Sequence, residues 1–154
     1  MTIDTTRFGP VEIDPEAIIT LPKGLIGFPT AKRFALLEYK PGHPFRWLQS
    51  LDDPSLAFLV MDPLGFFPDY EVELTDEDAR SLKLKDPKDA LVLTTISVRQ
   101  SPLTLTTNLL GPVVIGLKTR KAMQVVLDAD RYSTRHPLPI NPSAAQQPVM
   151  QSAA

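Results

Sequence analysis

The chain has 154 residues, 43% of them apolar, a formal net charge of −2 and no cysteine. That length suits one domain with a single core, and the apolar share excludes wholesale disorder. The missing cysteines exclude disulfides, thiolate metal sites and thiol nucleophiles; no apolar run is long enough to span a bilayer.

Met1 to Arg7 carry no basic stretch followed by an apolar one, so a cytoplasmic protein without a membrane anchor is expected. Short runs rich in β-branched residues then predict strands in order: Ile3–Arg7, Ala17–Leu21, Arg33–Tyr39, Phe45–Leu51, Leu56–Asp62, Tyr70–Leu74, Ala90–Val98, Leu103–Asn108, Pro112–Leu117 and Ala122–Leu127. Turn signals separate them, among them Lys23-Gly24, Pro41-Gly42, Asp53-Pro54, Asp62-Pro63 and Gly111-Pro112. A spacing of roughly ten residues, without a long helical period, predicts an all-β fold, a compact antiparallel β-barrel-like domain. One short helix is expected after Thr75, with Thr75 as N-cap, Asp78 three residues on, and an end before Pro87. The domain is expected over residues 1–132. Residues 133–154, rich in Pro, Ala and Gln, are expected to be a flexible tail.

Charge is unevenly placed. Residues 1–90 hold sixteen acids against ten bases, and residues 91–154 hold two against six. No Lys or Arg falls between Arg46 and Arg80, an interval that holds nine acids. Such a surface repels phosphates and attracts basic partners, so direct nucleic-acid binding is not expected there. Asp53 and Asp62 belong to Asp-Pro turns, and Asp76 and Asp78 suit the first turn of a helix. Asp52 stays open between these readings. Asp69, Glu71 and Glu73 have no such local duty: alternation puts them on one face of the predicted Tyr70–Leu74 strand, about 7 Å apart. Glu77 lies beside them. Phe66, Phe67 and Tyr70 adjoin this row, and they suit either core packing or a protein-binding anchor beside a charged rim.

Catalytic chemistry is not visible. The two histidines, His43 in a turn and His136 at the edge of the tail, have no Gly-x-Ser-x-Gly elbow or paired metal ligands around them. No catalytic residue, metal or cofactor is expected. Lys23-Gly24-Leu25-Ile26-Gly27 lacks the rest of a phosphate loop and reads better as a tight loop presenting Leu25, Ile26 and Phe28. An enzyme built on Asp52, Asp53 and Glu71 is a weak reading, because nothing supplies a nucleophile, a cofactor site or an oxyanion hole, and a nucleic-acid-binding β-barrel, disfavoured by the charge map, comes last.

Several blocks together resemble the flagellar assembly factor family FliW: Leu21-Pro22-Lys23-Gly24-Leu25-Ile26-Gly27-Phe28, Phe45-Arg46-Trp47-Leu48-Gln49-Ser50-Leu51-Asp52-Asp53-Pro54, Leu56 to Pro63, Phe67-Pro68-Asp69-Tyr70, Thr106 to Ile115 and Gln124 to Leu127. They run from about residue 3 to residue 138. The resemblance implies a cytoplasmic, non-catalytic protein that binds CsrA, an RNA-binding repressor of flagellin translation, and also binds flagellin. Flagellin export would then free the factor to sequester CsrA, acting allosterically outside its RNA-contacting surface. The acidic row fits a basic partner independently of that likeness. The alternative is a flagellin chaperone without a translational role, which needs an apolar groove for an amphipathic segment. A monomer is expected when no partner is bound.

Overall fold

Alternating side chains become pleated strands in the computed structural model, which describes residues 1–100 and 102–139. The strands are β1 (Thr2–Thr5), β2 (Gly9–Glu12), β3 (Ile19–Thr20), β4 (Arg33–Glu38), β5 (Phe45–Ser50), β6 (Ala57–Met61), β7 (Ala90–Arg99), β8 (Thr104–Thr107), β9 (Val113–Gly116), β10 (Ala122–Gln124) and β11 (His136–Pro137). The helix α1 covers Asp76–Ser81. β1 and β2 pair as a separate hairpin. The rest form one antiparallel sheet in the order β10-β9-β7-β6-β5-β4-β3, with β8 also on β7 and β11 on β8. The sheet curls until its edges meet, where Thr20 bridges to Lys121 and the Thr20 N–H donates to the Arg120 carbonyl at 2.9 Å. Among the described residues a single bridge rather than a ladder joins them, so the all-β, barrel-like expectation holds without full closure.

The pleat divides the core. Phe34, Leu48, Val60, Leu93, Val113 and Ile115 point inside the curl and are buried together. Their neighbours in sequence point outward and need covers. Phe45, Trp47, Leu59, Met61 and Ile96 are covered by Leu138, Phe66 and Phe67; Val114 and Val125 are covered by Leu82, Val72 and Leu74. β6 is central, with Leu59, Val60 and Met61 buried on both faces, while Ala57 and Phe58 are only partly covered.

Residues 70–74 depart from expectation. The alternation is present, with Tyr70 buried, Val72 and Leu74 half-buried, and Glu71 and Glu73 exposed. However, no partner strand pairs with this segment among the described residues. It is held by its apolar side chains, which clamp it over the outer face of the sheet beside Val114. The expected fold boundary also moves outward. His136–Pro137 pairs with Thr106 and Thr107, and Leu138 is 8% exposed within the core, so packing continues past residue 132. The rest of the expected tail, 140–154, lies outside the described residues.

Local capping matches the sequence closely. Thr75 Oγ1 accepts from the Asp78 N–H at 3.0 Å, Asp62 Oδ1 from Leu64 N–H at 3.0 Å, and Asp53 Oδ1 from Ser55 N–H at 2.9 Å. His43 is half-buried rather than a bare turn residue: its ring packs 4.6 Å from Tyr39 and 5.0 Å from Phe45. Its Nδ1 accepts from the Phe45 N–H at 3.0 Å. Burial, and then the charge of Lys40, push the imidazole below its ordinary value, which suits an acceptor nitrogen.

Asp52, left open by sequence, has a structural duty. Its Oδ2 accepts from the Lys32 and Arg33 N–H groups at 2.8 and 2.9 Å, and its Oδ1 lies 3.2 Å from Arg33 Nη2. Burial pushes this carboxyl up, but the two backbone donors and the guanidinium outweigh it and hold the group below its usual value. A depressed folded value means stability that is present above the unfolded value of about 4 and lost as pH falls through the folded one. Asp52→Ala is therefore expected to cost about 1 kcal/mol at neutral pH, the site being largely exposed. Urea unfolding of both chains should show the difference shrinking in acid; a pH-independent difference would remove the carboxylate from the account.

Candidate protein-binding site

The acidic row sits on the 70–74 segment and the start of α1. Pro68 and the Phe67 carbonyl, which accepts from the Tyr70 N–H at 3.0 Å, turn the chain out of the core. Tyr70 then plunges in: it is 6% exposed, and its hydroxyl donates to the Leu109 carbonyl at 2.6 Å. Burial, and then the nearby Tyr132, push the phenol well above its ordinary value, so it remains a neutral donor. With Tyr70 anchored, the pleat forces Glu71 and Glu73 outward.

The predicted site residues do not stay together. Asp69, Glu71, Glu73 and Glu77 are exposed. Phe66 and Phe67 are half-buried covers over the Phe45–Trp47 side of the sheet, and Phe67 packs edge-on against His136 at 4.8 Å. The aromatics therefore hold the acidic segment down rather than stand beside it as a free anchor.

Two residues that sequence reasoning missed complete the site. Arg131 Nη2 lies 3.8 Å from Glu71 Oε2, and the Glu71 N–H donates to the Tyr132 hydroxyl at 3.1 Å. The Arg131 guanidinium also sits 5.1 Å over the Tyr132 ring, which packs edge-on to Tyr70 at 4.9 Å. An exposed pair of this kind is worth about 0–1 kcal/mol, so an incoming cation can compete for Glu71 at little cost. The interval from Arg46 to Arg80 is thus free of cations in sequence, though not in space. Only the long-range turn that brings Arg131 back could have revealed this, and nothing local marks it.

A second surface lies on the Gly24 loop. Ile26 is 65% exposed, Val126 64% and Phe28 40%, whereas Leu25 turns inward. Ile26 and Val126 line two adjoining clefts of about 580 and 260 Å³. The Ile26 N–H donates to Gln124 Oε1 at 2.8 Å, which fixes the loop against β10. Val126 was invisible as a surface residue because it lies in an apolar run with no polar alternation. Among the described residues, no group of three or more His, Asp or Glu side chains is placed to hold a metal ion.

With this geometry in place, comparison with known proteins is decisive. The model of the FliW protein family matches residues 2–138. The chain belongs to the FliW family. It is 42% identical over 136 residues to the flagellar assembly factor FliW of Syntrophus aciditrophicus, covering 88% of this chain and 86% of that one. It is 41% identical over 139 residues to the FliW of Natranaerobius thermophilus, covering 90% and 92%. A crystal structure of a flagellar assembly factor FliW superposes with a TM-score of 0.78 at 31% identity, covering 89% of this chain and 96% of that one. The FliW match ends at Leu138, the residue that closes the outer core.

Proposed function

We propose that this chain is a cytoplasmic, non-enzymatic flagellar assembly factor that binds the translational regulator CsrA and antagonises it. Flagellin is its second partner, so that export of flagellin frees the factor for CsrA. Family membership supports the assembly role. The observation that carries the regulator-binding half is the exposed row Asp69, Glu71 and Glu73, with Glu77 following on α1, where the 70–74 segment pairs with no strand among the described residues and is backed by buried Tyr70. A basic RNA-binding protein is the complement of that surface.

The test is charge reversal. Glu71→Lys with Glu73→Lys should slow association with purified CsrA by about tenfold or more and flatten its salt dependence, with a smaller change in dissociation. Both side chains are exposed, so the fold should be retained. Unchanged association kinetics in a folded double variant would remove this face from the interface.

One observation favours a second reading, the flagellin chaperone without translational work. The apolar ridge of Ile26, Phe28 and Val126 with its two clefts suits the apolar stripe of an amphipathic helix. Calorimetric titration against each purified partner separates the readings: heat with flagellin and none with CsrA favours the chaperone.

A further inference from the structure

α1 ends against the turn between β9 and β10, and each of these two turns is closed by a strained residue. The Lys83 N–H donates to the Arg80 carbonyl at 3.0 Å and the Leu84 N–H to the Ala79 carbonyl at 2.9 Å, a double closure of the helix end. It requires a left-handed residue at Lys83, where glycine is usual. In the hairpin the Gly116 N–H donates to the Lys121 carbonyl at 2.8 Å and the Arg120 N–H to the Gly116 carbonyl at 2.9 Å. Lys83 at φ +55° and Arg120 at φ +58° are the non-glycine residues with positive φ among the described residues. Both are cations, although any side chain strains this backbone more than glycine would. The Thr119 hydroxyl donates to the Leu82 carbonyl at 3.1 Å and locks the two turns together.

Between the turns lies a cleft of about 230 Å³, lined by Leu82 to Lys85 from one, by Gly116, Lys118 and Thr119 from the other, and by Asp89. Small-molecule sites begin at about 300 Å³, so this one fits a single side chain rather than a metabolite. Three cations face one acid. Asp89 reaches Lys118 at 3.9 Å, a pair that an exposed ammonium gives up at little cost. Lys83 and Lys85 form no ion pair among the described residues. Asp86 accepts from the Lys88 N–H at 2.9 Å as the cap of its own turn. Across residues 79–89 and 116–121 seven bases stand against two acids. A leucine-lined slot with that charge suits an apolar side chain flanked by carboxylates. Among the described residues no aromatic ring lines it, so it lacks the stacking by which single-stranded nucleic acid is held.

We propose that this cleft docks an acidic segment of a partner protein, with one apolar side chain seated between the turns and the flanking carboxylates on Lys83, Lys85 and Lys118. Charge complementarity selects the occupant, and the strained backbone at Lys83 is kept for the ammonium it presents. The surface is separate from the acidic row, since neither Asp69, Glu71, Glu73 nor Glu77 lines the cleft. It therefore takes a partner of opposite charge to the one that suits the row.

NMR titration of the full chain at low salt tests it, with a blocked synthetic peptide that carries a central leucine between glutamates. The amides of Lys83 to Lys85 and of Gly116 to Thr119 should shift together. Alanine in place of the peptide's leucine should weaken binding by about tenfold, and lysines in place of its glutamates should abolish it. Lys83→Gly should raise the urea midpoint by relieving the left-handed strain, yet weaken the peptide by about fivefold. Lys83→Gln with Lys118→Gln should weaken it by about tenfold or more. Absence of shifts at these amides, or undiminished affinity in the Lys83→Gly chain, overturns the proposal. Equal affinity for the leucine and alanine peptides overturns the side-chain slot and the proposal with it. Single-stranded RNA binding more tightly than the peptide at the same amides overturns it in favour of nucleic acid. Self-association that is lost in the Glu71→Lys, Glu73→Lys chain overturns it in favour of a second copy.

Discussion

Gln49→Glu is expected to destabilise the fold by about 4 kcal/mol at neutral pH, although the two side chains are nearly isosteric. Gln49 is 0% exposed. Its Nε2 donates to the carbonyls of Ser50, Pro54 and Leu56 at 2.9, 3.2 and 3.2 Å, which ties the turn after β5 to the start of β6. Three carbonyls around one nitrogen fix the amide's orientation, since the flipped amide would set its oxygen against all three. A carboxylate there meets three acceptors with no donor, so it must take up a proton to stay buried. Its folded value is thereby raised above the unfolded value of about 4.3. The variant should be least impaired below that value and progressively worse as pH rises toward the folded one. Gln49→Ala removes the same donors without a charge and should cost about 3 kcal/mol at every pH. Urea unfolding of the three chains across pH separates these effects; a pH-independent deficit in the Glu variant would mean that the carboxylate escapes to water.

The contrast between Gln49 and the acidic row marks what sequence could and could not disclose. Asp53, Asp62 and Thr75 were legible because their partners lie two or three residues away, where type and spacing settle the geometry. Most strands were legible from alternation, which is also local. β2 and β11 were not, because Gly9-Pro10 and His136-Pro137 carry proline in place of a β-branched run and pair only at a sheet edge. For residues 70–74 alternation gave the correct facing but the wrong element, since period two records which side chains are buried and says nothing of a backbone partner. The Glu71–Arg131 pair joins positions whose proximity is created by folding, whereas the Gln49 network is short-range but depends on how the turn between β5 and β6 folds back over the amide.

These cases join at the acidic segment. Tyr70 and Leu109 are far apart in sequence, yet the hydrogen bond between them makes the row face outward. Anchoring therefore comes from the core, and charge from the exposed half of the alternation. Neither is a conventional motif, and together they set an acidic surface over a buried aromatic anchor.

The Gly24 loop should prove the most sensitive surface element. Gly24→Ala is expected to cost about 3 kcal/mol. Gly24 adopts φ +67°, and an added Cβ would lie 2.5 Å from the Phe28 carbonyl oxygen and 2.7 Å from the Pro29 carbonyl. The Phe28 oxygen cannot simply retreat, because it accepts from the Leu25 and Ala31 N–H groups, both at 3.2 Å. Gly27 provides the control within the same loop. Its φ is +87°, but nothing lies within 4 Å of an added Cβ, so Gly27→Ala carries only the backbone term of about 1 kcal/mol. The Gly24 variant should also displace Ile26 and Phe28, and so weaken any partner seated on that ridge, while Glu71 and Glu73, which line neither cleft, stay in place. Urea midpoints together with titration of flagellin and CsrA read both effects. Equal costs at the two glycines would show that the close approach to Phe28 does not constrain the loop.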